Sequence, residues 1–504
     1  MNVLLLNPKF PVTYWGFQLI LWIIGKRAIF PPLGLQTIAK MFPADWNIRL
    51  IDLNAGQRLR NGDLAWADMV GITGMLIQKQ EVRKLAKRAK AAGKRVLVGG
   101  PYISTSTQDI PEADHVFKGE CEITLPQFLT DLAAGNPKPL YENPLKEGSR
   151  TDRVFPDMAL VPIPDYTLLD MPLYNTMSVQ FVRGCPFDCD FCDITKLMGK
   201  QSRYKSNEQL LREFDALYAT GYRASLFLVD DNFIGNPKRV LDFLPALITW
   251  QRAHNFPFDL YTEASVNLGK EEAILQGMRD AGFTKVFLGI ESPVLESLKN
   301  MHKWQNASGS LLDRIANIQN YMEVMGGYIV GNDTDPDNIA DLQIDFIQRS
   351  AVPLAMVAKL TALPDTNLYK RYQQEGRLLM ESDGNNTGNG ELNFRTVRDP
   401  KAIVADHRRI LREVYSSKAY YGRVLELFSR LPKATRQEAK DLSLSQQLMV
   451  FARASLVIGF VARERVEFWK FLLRVKREHR DRFAHAIRLA IAGHHQRTLA
   501  RLEG

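Results

Sequence analysis

The chain has 504 residues, 45% apolar and 24% charged, with a net charge of +9. That length exceeds one ordinary core and points to two to four domains, and the balance of residue types excludes a disordered chain. Only four cysteines are present, three of them within one octet, which excludes a disulfide framework and implies a reducing compartment, so a cytoplasmic location is expected.

The N-terminus runs straight into the strand-like Asn2-Val3-Leu4-Leu5-Leu6-Asn7 with no basic leader, so no signal peptide is expected. Residues 15–25 form an apolar run ending at Lys26-Arg27. It is too short to span a bilayer and reads as a buried helix. Short apolar or β-branched runs follow at residues 3–7, 48–53, 69–73, 95–98 and 115–117, with amphipathic stretches such as 80–92 between some of them. This alternation predicts an α/β domain built on a doubly wound parallel sheet, which binds ligands at the carboxyl ends of its strands. Small residues cluster at those ends: Thr73-Gly74-Met75, Gly99-Gly100 and Gly119-Glu120. Such glycines admit close approach of a large planar or phosphate-bearing ligand, and a tight turn accounts for them equally well. Cys121 falls in the first turn of a helix, where it is read as a packing residue, with metal ligation or a reactive thiol as the alternative. Residues 136–165 are rich in Pro and charge and read as linker.

A second βα series begins at Ser178, with its first strand at residues 179–182. The loop after it carries Cys185, Cys189 and Cys192 in CxxxCxxC spacing, with Phe191 before the third. Three thiolates on so short a loop can hold three irons of a 4Fe-4S cluster and leave the fourth open. Zinc would want a fourth ligand, and the next His is His254. Later strand-like runs end in polar groups: Asp230-Asp231-Asn232, Glu263, Glu291, Asn332-Asp333, and the run 359–364 through Leu363 and Pro364. Any one acid could be a helix N-cap, but five such ends in register read as the rim of a barrel active site.

After a polar insert at residues 381–390, a lid or a surface loop, helical patterns cover residues 402–415, 420–430, 442–461 and 466–502. From Phe451 onward there are 12 Lys and Arg against 5 Asp and Glu. The basic aromatic FWKFLLRVKR at 468–477 allows three readings: an anionic membrane surface, nucleic acid, or packing on its own domain. With no second cysteine triplet and no recognisable RNA-binding module, nucleic acid is not expected.

The cysteine spacing with Phe191 resembles the signature of radical S-adenosylmethionine (SAM) enzymes. Together with PPLGL at 31–35, CPFDCDFCDI at 185–194, VDDNFIGN at 229–236, EASVN at 263–267 and FWKF at 468–471, it resembles one branch of cobalamin-binding radical SAM proteins, which includes hopanoid C-2 methylase. The resemblance implies a flavodoxin-like cobalamin domain (1–140), a linker (141–175), a partial (βα)6 radical SAM barrel (176–375) and a C-terminal helical domain (376–504). It implies a 4Fe-4S cluster, SAM and cobalamin as cofactors. Cys185, Cys189 and Cys192 would ligate the cluster beside Phe191. Asp230 or Asp231 would accept from the SAM ammonium, Glu263 would lie near its ribose or sulfonium, Glu291 on its ribose side and Leu363 at the adenine. Thr73, Gly74, Met75, Gly99, Gly100, Gly119 and Glu120 would line the cobalamin site. One departure is clear: the DxHxxG pattern is missing and the first His is His115. No histidine is therefore expected below cobalt, where Tyr14 or Trp15 would cap the face unless both are core aromatics.

The activity implied is C-methylation of an unactivated carbon in a hydrophobic, lipid-like substrate. Rearrangement or cyclisation without methyl transfer, and a non-enzymatic cobalamin or cluster sensor, are the alternatives. An external one-electron reductant of the flavodoxin or ferredoxin kind, and peripheral contact of the basic tail with the inner membrane surface, complete the expected partners.

Overall fold

The structure is a computed structural model that describes residues 1–106, 110–149, 153–385, 392–433 and 444–502. Residues 386–390 of the polar insert and 442–443 of the third expected C-terminal helix lie outside the described residues.

Six strands build the first sheet: β1 (Asn2–Asn7), β2 (Asn47–Asp52), β3 (Met69–Thr73), β4 (Arg95–Gly99), β5 (His115–Lys118) and β6 (Leu140–Glu142). They are parallel in the order β2-β1-β3-β4-β5-β6. Period-two alternation divides the strand residues between two cores. Leu4, Leu6, Val70, Ile72, Val96 and Val98 pack under the helix Lys79–Ala91, whereas Val3, Leu5, Met69, Leu97 and Phe117 pack under the helices Leu33–Ala39 and Cys121–Ala133. Strand β6 was not expected. Its three residues lie within the Pro-rich stretch read as linker, too short to give a periodic signal, and pair with β5 at the edge.

After β7 (Met177–Val179) the chain leaves the second sheet for an antiparallel pair, β8 (Val182–Arg183) and β9 (Arg203–Tyr204), that brackets the cysteine loop. The second sheet continues with β10 (Ser225–Leu228), β11 (Asp259–Ala264), β12 (Phe283–Glu291), β13 (Glu323–Val330) and β14 (Ala355–Lys359). Its order is β14-β13-β12-β11-β10-β7, wholly parallel, which is a six-stranded partial barrel. Two expected strands are therefore corrected. The run 179–182 is split because Val182 pairs outward with Tyr204, and of the run 359–364 only Lys359 belongs to β14.

The apolar stretch 15–25 is not a helix. It is a succession of tight turns, with Ile20 N donating to Phe17 O (3.0 Å) and Ile23 N to Ile20 O (2.9 Å). Phe17 has φ of +48°, which breaks a helical start, and the isoleucines at 20, 23 and 24 lose rotamer freedom in a helix. This segment plugs the open side of the barrel. At one flank Arg27 N donates to Leu173 O (2.8 Å) and Thr176 N to Ile29 O (3.1 Å), beside β7. At the other flank Tyr14 packs with Met356 of β14 and Leu499.

The C-terminal region contains the helices Pro400–Val414, Ser417–Arg430, Leu444–Ala454, Arg465–Glu478 and Phe483–Leu502, with a π-helical turn at Ser455–Val461. The run expected as one helix over 466–502 is broken at His479–Arg482. Arg482 is buried there and donates to Pro432 O, a tertiary bond with no local sequence signal.

Candidate active site

Two adjacent aspartates fix the cysteine loop. Asp230 Oδ1 accepts from Phe181 N (2.8 Å) and Val182 N (2.9 Å), and Asp231 Oδ2 accepts from Gly184 N (2.7 Å). Gly184 has φ of +87°, and a Cβ there would lie 2.5 Å from Gln201 O, so only glycine turns the chain into Cys185. The loop is then tied at Cys185 N to Gly199 O (3.3 Å), Asp190 N to Met301 O (3.1 Å) and Leu368 N to Asp190 O (2.8 Å).

Cys189 is buried, and Cys185 and Cys192 are half-buried. Burial holds the Cys185 and Cys192 thiols above their ordinary value. Amide donors reach two of the sulfurs: Gln305 Nε2 lies 3.5 Å from Cys189 Sγ, and Asn232 Nδ2 lies 3.9 Å from Cys185 Sγ. Lys303 Nζ pairs with Glu291 Oε1 at 2.8 Å and stands 5.8 Å above the Phe191 ring. Burial works against its charge, but Glu291 and then Cys189 hold its pKa raised. Among the described residues, no three His, Cys, Asp or Glu side chains converge on one metal ion. Three thiolates on one short loop suit a cluster in which each takes a separate iron.

Above the loop, three carboxylates crowd together. Burial pushes Asp230 to about 7, Asp231 to about 6 and Glu263 to about 7, with the like charges of Asp231 and Asp230 adding to the shift of Glu263. Asp230 Oδ2 is buried without a partner. Such a site favours an incoming cation, and the ammonium of SAM fits it. Glu291 is buried in the left-handed region at φ of +65°, a strain found where a side chain must be aimed. Leu363 follows β14, and its carbonyl accepts from Thr366 Oγ1 (2.7 Å).

Behind these groups lies a cavity of about 370 Å3 within the barrel. Strand periodicity arranges its wall in tiers. Ser225 pairs in register with Asp259 near the strand starts; Phe227, Tyr261, Lys285 and Glu323 form the next row, Glu263, Phe287 and Met325 the row above it, and Gly289 pairs with Gly327 beyond them. Trp15 and Phe30 add to the apolar wall across these two rows, 4.9 Å from Phe287 and 5.2 Å from Phe227 between ring centroids. A more open cleft of about 610 Å3, lined by Lys9, Arg58, Lys84 and Arg88, touches none of the candidate residues.

At the carboxyl edge of the first sheet, side chains bond mainly to one another. Asp52 accepts from Asn7 Nδ2, Asn54 N and Tyr174 OH, all within 2.9 Å. Gln78 Oε1 accepts from Met75 N (2.8 Å) and its Nε2 donates to Pro8 O (2.5 Å). Gly100, at φ of +93°, could not carry a Cβ without overlapping Thr73 Oγ1, so the turn itself accounts for that glycine. Gly74, Gly99 and Gly119 stand along the same rim, and Met75 is 49% exposed there. A rim of backbone and small residues fits a broad ring held by contact.

Glu120, Tyr14, Trp15 and Cys121 make other contacts in the structure. Glu120 accepts from Arg183 Nη1 (2.5 Å) and from Arg203, and Arg183 Nη2 also donates to Glu122 (2.9 Å). All four are largely buried, so Glu120 joins the first sheet to the cysteine loop. Tyr14 is a core aromatic, because Gln496 Nε2 donates to its carbonyl (3.4 Å) and holds it against the last helix. Trp15 lies on the barrel cavity. Cys121 opens its helix as a packing residue, and burial, with Glu122 beside it, pushes its thiol up to about 12. Sequence reasoning missed Arg183, Lys303 and Gln305, which reach the site only through tertiary folding.

Residues 27–129 match the B12 binding domain, 179–343 the Radical SAM superfamily and 366–503 a domain of unknown function (DUF4070). Two solved structures share the fold. The cobalamin-dependent SAM radical enzyme OxsB with aqua-cobalamin and SAM bound has a TM-score of 0.60 at 15% identity, covering 99% of this chain and 80% of that one. The radical SAM methyltransferase TsrM from Kitasatospora setae, with cobalamin and a [4Fe-4S] cluster bound, has a TM-score of 0.58 at 15% identity, covering 97% and 99%. The class is thus a cobalamin-dependent radical SAM enzyme with a 4Fe-4S cluster, SAM and cobalamin as cofactors.

An uncharacterized methyltransferase of Synechocystis sp. is 37% identical over 98% of this chain and 91% of its own length. Hopanoid C-2 methylase of Rhodopseudomonas palustris is 34% identical over 94% and 89%. The chain belongs to the branch of cobalamin-binding radical SAM methyltransferases that includes hopanoid C-2 methylase.

Proposed function

We propose that the protein methylates an unactivated carbon of a hydrophobic substrate held in the barrel cavity. The observation that carries this reading is the apolar wall of Phe227, Tyr261, Phe287, Met325, Trp15 and Phe30, with Glu263 in register beside Phe287. Its relative from Rhodopseudomonas palustris, named for methylating a hopanoid, supports a lipid-like substrate. When bound, the cluster with SAM supplies a hydrogen-abstracting radical and cobalamin supplies the methyl group.

In this reading the thiolates of Cys185, Cys189 and Cys192 each hold one iron. Asp231 or the unpartnered oxygen of Asp230 accepts from the SAM ammonium. Glu263 takes the ribose or sulfonium side, Glu291, steadied by Lys303, the ribose, and Phe191 and Leu363 border the nucleoside. Thr73, Gly74, Met75, Gly99, Gly100 and Gly119 line the corrin and its tail. The plug at residues 15–25 shields one side of the cavity from water, as a primary alkyl radical requires. In this reading the chain divides into residues 1–140, 141–175, 176–375 and 376–504, with β6 carrying the first domain two residues further.

An external one-electron reductant of the flavodoxin or ferredoxin kind reduces the cluster. The protein docks peripherally on an anionic inner membrane surface through Leu456, Phe460, Val461 and Leu473, which are 60–76% exposed beside Arg465, Lys470 and Arg474. No helix among the described residues is long and apolar enough to cross a membrane. Replacing Phe460 and Leu473 by Ser should release the protein from anionic vesicles; unchanged co-sedimentation would remove this contact.

The reading is tested by mass analysis of lipids from cells with and without the gene. A lipid species heavier by one methylene, lost on deletion and restored by the intact gene but not by Cys189→Ala, is expected. Identical lipid profiles would reject a lipid substrate.

A further inference from the structure

The segment 301–306 lies against the cysteine loop. Met301 O accepts from Asp190 N (3.1 Å), Lys303 Nζ stands 5.8 Å above the Phe191 ring, and Gln305 Nε2 lies 3.5 Å from Cys189 Sγ. Met301, Gln305 and Asn306 are buried, whereas His302 is exposed and Trp304 is 60% exposed. Inward and outward side chains thus share one short stretch. His302 holds a left-handed backbone at φ of +54°, and its ring lies 19° from the plane of Trp304 with 6.2 Å between centroids. Such a conformation persists where the surroundings must aim a side chain.

A single exposed aromatic is ordinary on a protein surface, and place is what distinguishes Trp304. It is the chain neighbour of both Lys303 and Gln305, with Cα atoms about 3.8 Å apart, so one peptide bond separates it from the residue whose amide reaches Cys189. Two other sides of the loop are closed. Arg183 and Arg203 with Glu120 close the side toward the first sheet, and Arg371 with Asp190 (2.9 Å) closes the side toward the helix Asn367–Gln374. Lysines flanking the loop are matched by acids: Lys200 pairs with Asp188 (3.1 Å), Lys299 with Glu296 (2.8 Å) and Lys370 with Asp365 (2.6 Å). Steering by those charges is therefore weak, and recognition falls to the rings of His302 and Trp304. Trp is among the residues that most often dominate an interface.

We propose that the shelf of His302 and Trp304 is where a small one-electron carrier protein docks, with the apolar rim of its reduced centre set against the Trp304 ring. The inference rests on the reading that an external one-electron reductant serves the cluster, and adds to it the place and the mode of contact. One electron leaves the carrier's centre, which is oxidised by one, and enters the cluster, whose net charge falls by one. No bond forms or breaks and no proton moves in that step. Redox partners meet through small, short-lived interfaces, and one bulky ring beside a second suits a contact of that size.

The test uses the full chain carrying its reconstituted cluster, with flavodoxin and ferredoxin as carriers and dithionite as a small reductant that needs no docking surface. Reduction is followed by stopped-flow bleaching of the cluster absorbance, and affinity by calorimetry with oxidised carrier, so that no electron moves. Trp304→Ala should slow reduction by the carrier that serves and weaken its binding, each at least about tenfold. Trp304→Phe should restore most of both, and dithionite should reduce the intact chain and the two variants at one rate. Equal carrier rates and affinities for the intact chain and Trp304→Ala overturn the docking site and leave the reductant reading standing. Equal slowing with carrier and with dithionite shows an altered cluster and overturns the site as well. If dithionite reduces the intact chain and neither carrier does, both readings fall.

Discussion

At the carboxyl edge of the barrel, side chains reach the site themselves: three thiols, three crowded carboxylates and the Lys303–Glu291 pair. At the same edge of the first sheet, Asp52, Asn7 and Gln78 bond to neighbouring groups, leaving a rim of backbone, glycine and Met75. Both are parallel sheets of six strands, so fold alone does not set the difference. A small charged cofactor and a metal cluster need specific donors, whereas a large ring can be held by shape. Mutations should therefore act sharply at the first edge and diffusely at the second, with Glu120 and Arg183 joining the two.

The largest effect is expected from Cys185→Ala, Cys189→Ala or Cys192→Ala. Each should lose the charge-transfer absorbance of the reconstituted cluster and all 5'-deoxyadenosine formation. Retention of both by any one variant would break the assignment of the barrel edge.

Next is the join. Replacing Arg183 by Met leaves Glu120 and Glu122 buried without it, a loss of about 3–5 kcal/mol, readable as a lower urea midpoint. The same change on an exposed pair such as Lys84 and Glu81 should cost less than about 1 kcal/mol. Comparable losses at the two places would show that the network is not a joint.

A smaller effect concerns pH. Asp230 and Glu263 titrate near 7 when folded, against ordinary carboxylate values near 4, so the fold favours their protonated forms. That contribution is complete below about pH 4 and is lost as pH rises through about 7. The cofactor-free protein should lose stability steadily between pH 4 and 8, and Glu263→Gln should flatten part of the slope. No change in slope would mean that Glu263 is not confined beside Asp230 and Asp231.

The smallest is Gln305→Leu, which removes the amide donor to Cys189. Hydrogen bonds to cluster sulfurs raise the reduction potential, so an EPR-monitored titration should show a drop of roughly tens of millivolts. An unchanged potential would show that the donor does not reach the cluster.

The sequence made the cysteine loop legible because thiols at short spacing have few uses, and it made Asp230, Asp231, Glu263 and Glu291 legible because acids recur at strand ends. The first sheet was legible from the period-two runs that fill its two cores. Other features depended on tertiary contacts. The plug at 15–25 looked like a helix, since its apolar residues are the same for either conformation and only its packing against β7 and β14 decides. The break at His479 follows from the buried bond of Arg482 to Pro432. Glu120 read as a cofactor residue because nothing near it in sequence reveals Arg183, which lies sixty-three positions away.

The most direct measurement is a single incubation of the purified protein with cobalamin, a low-potential reductant, lipid extract and SAM carrying a deuterated methyl group. The account predicts 5'-deoxyadenosine together with a lipid product bearing the deuterated methyl, both absent with Cys189→Ala. Formation of 5'-deoxyadenosine with no label in any lipid would contradict it.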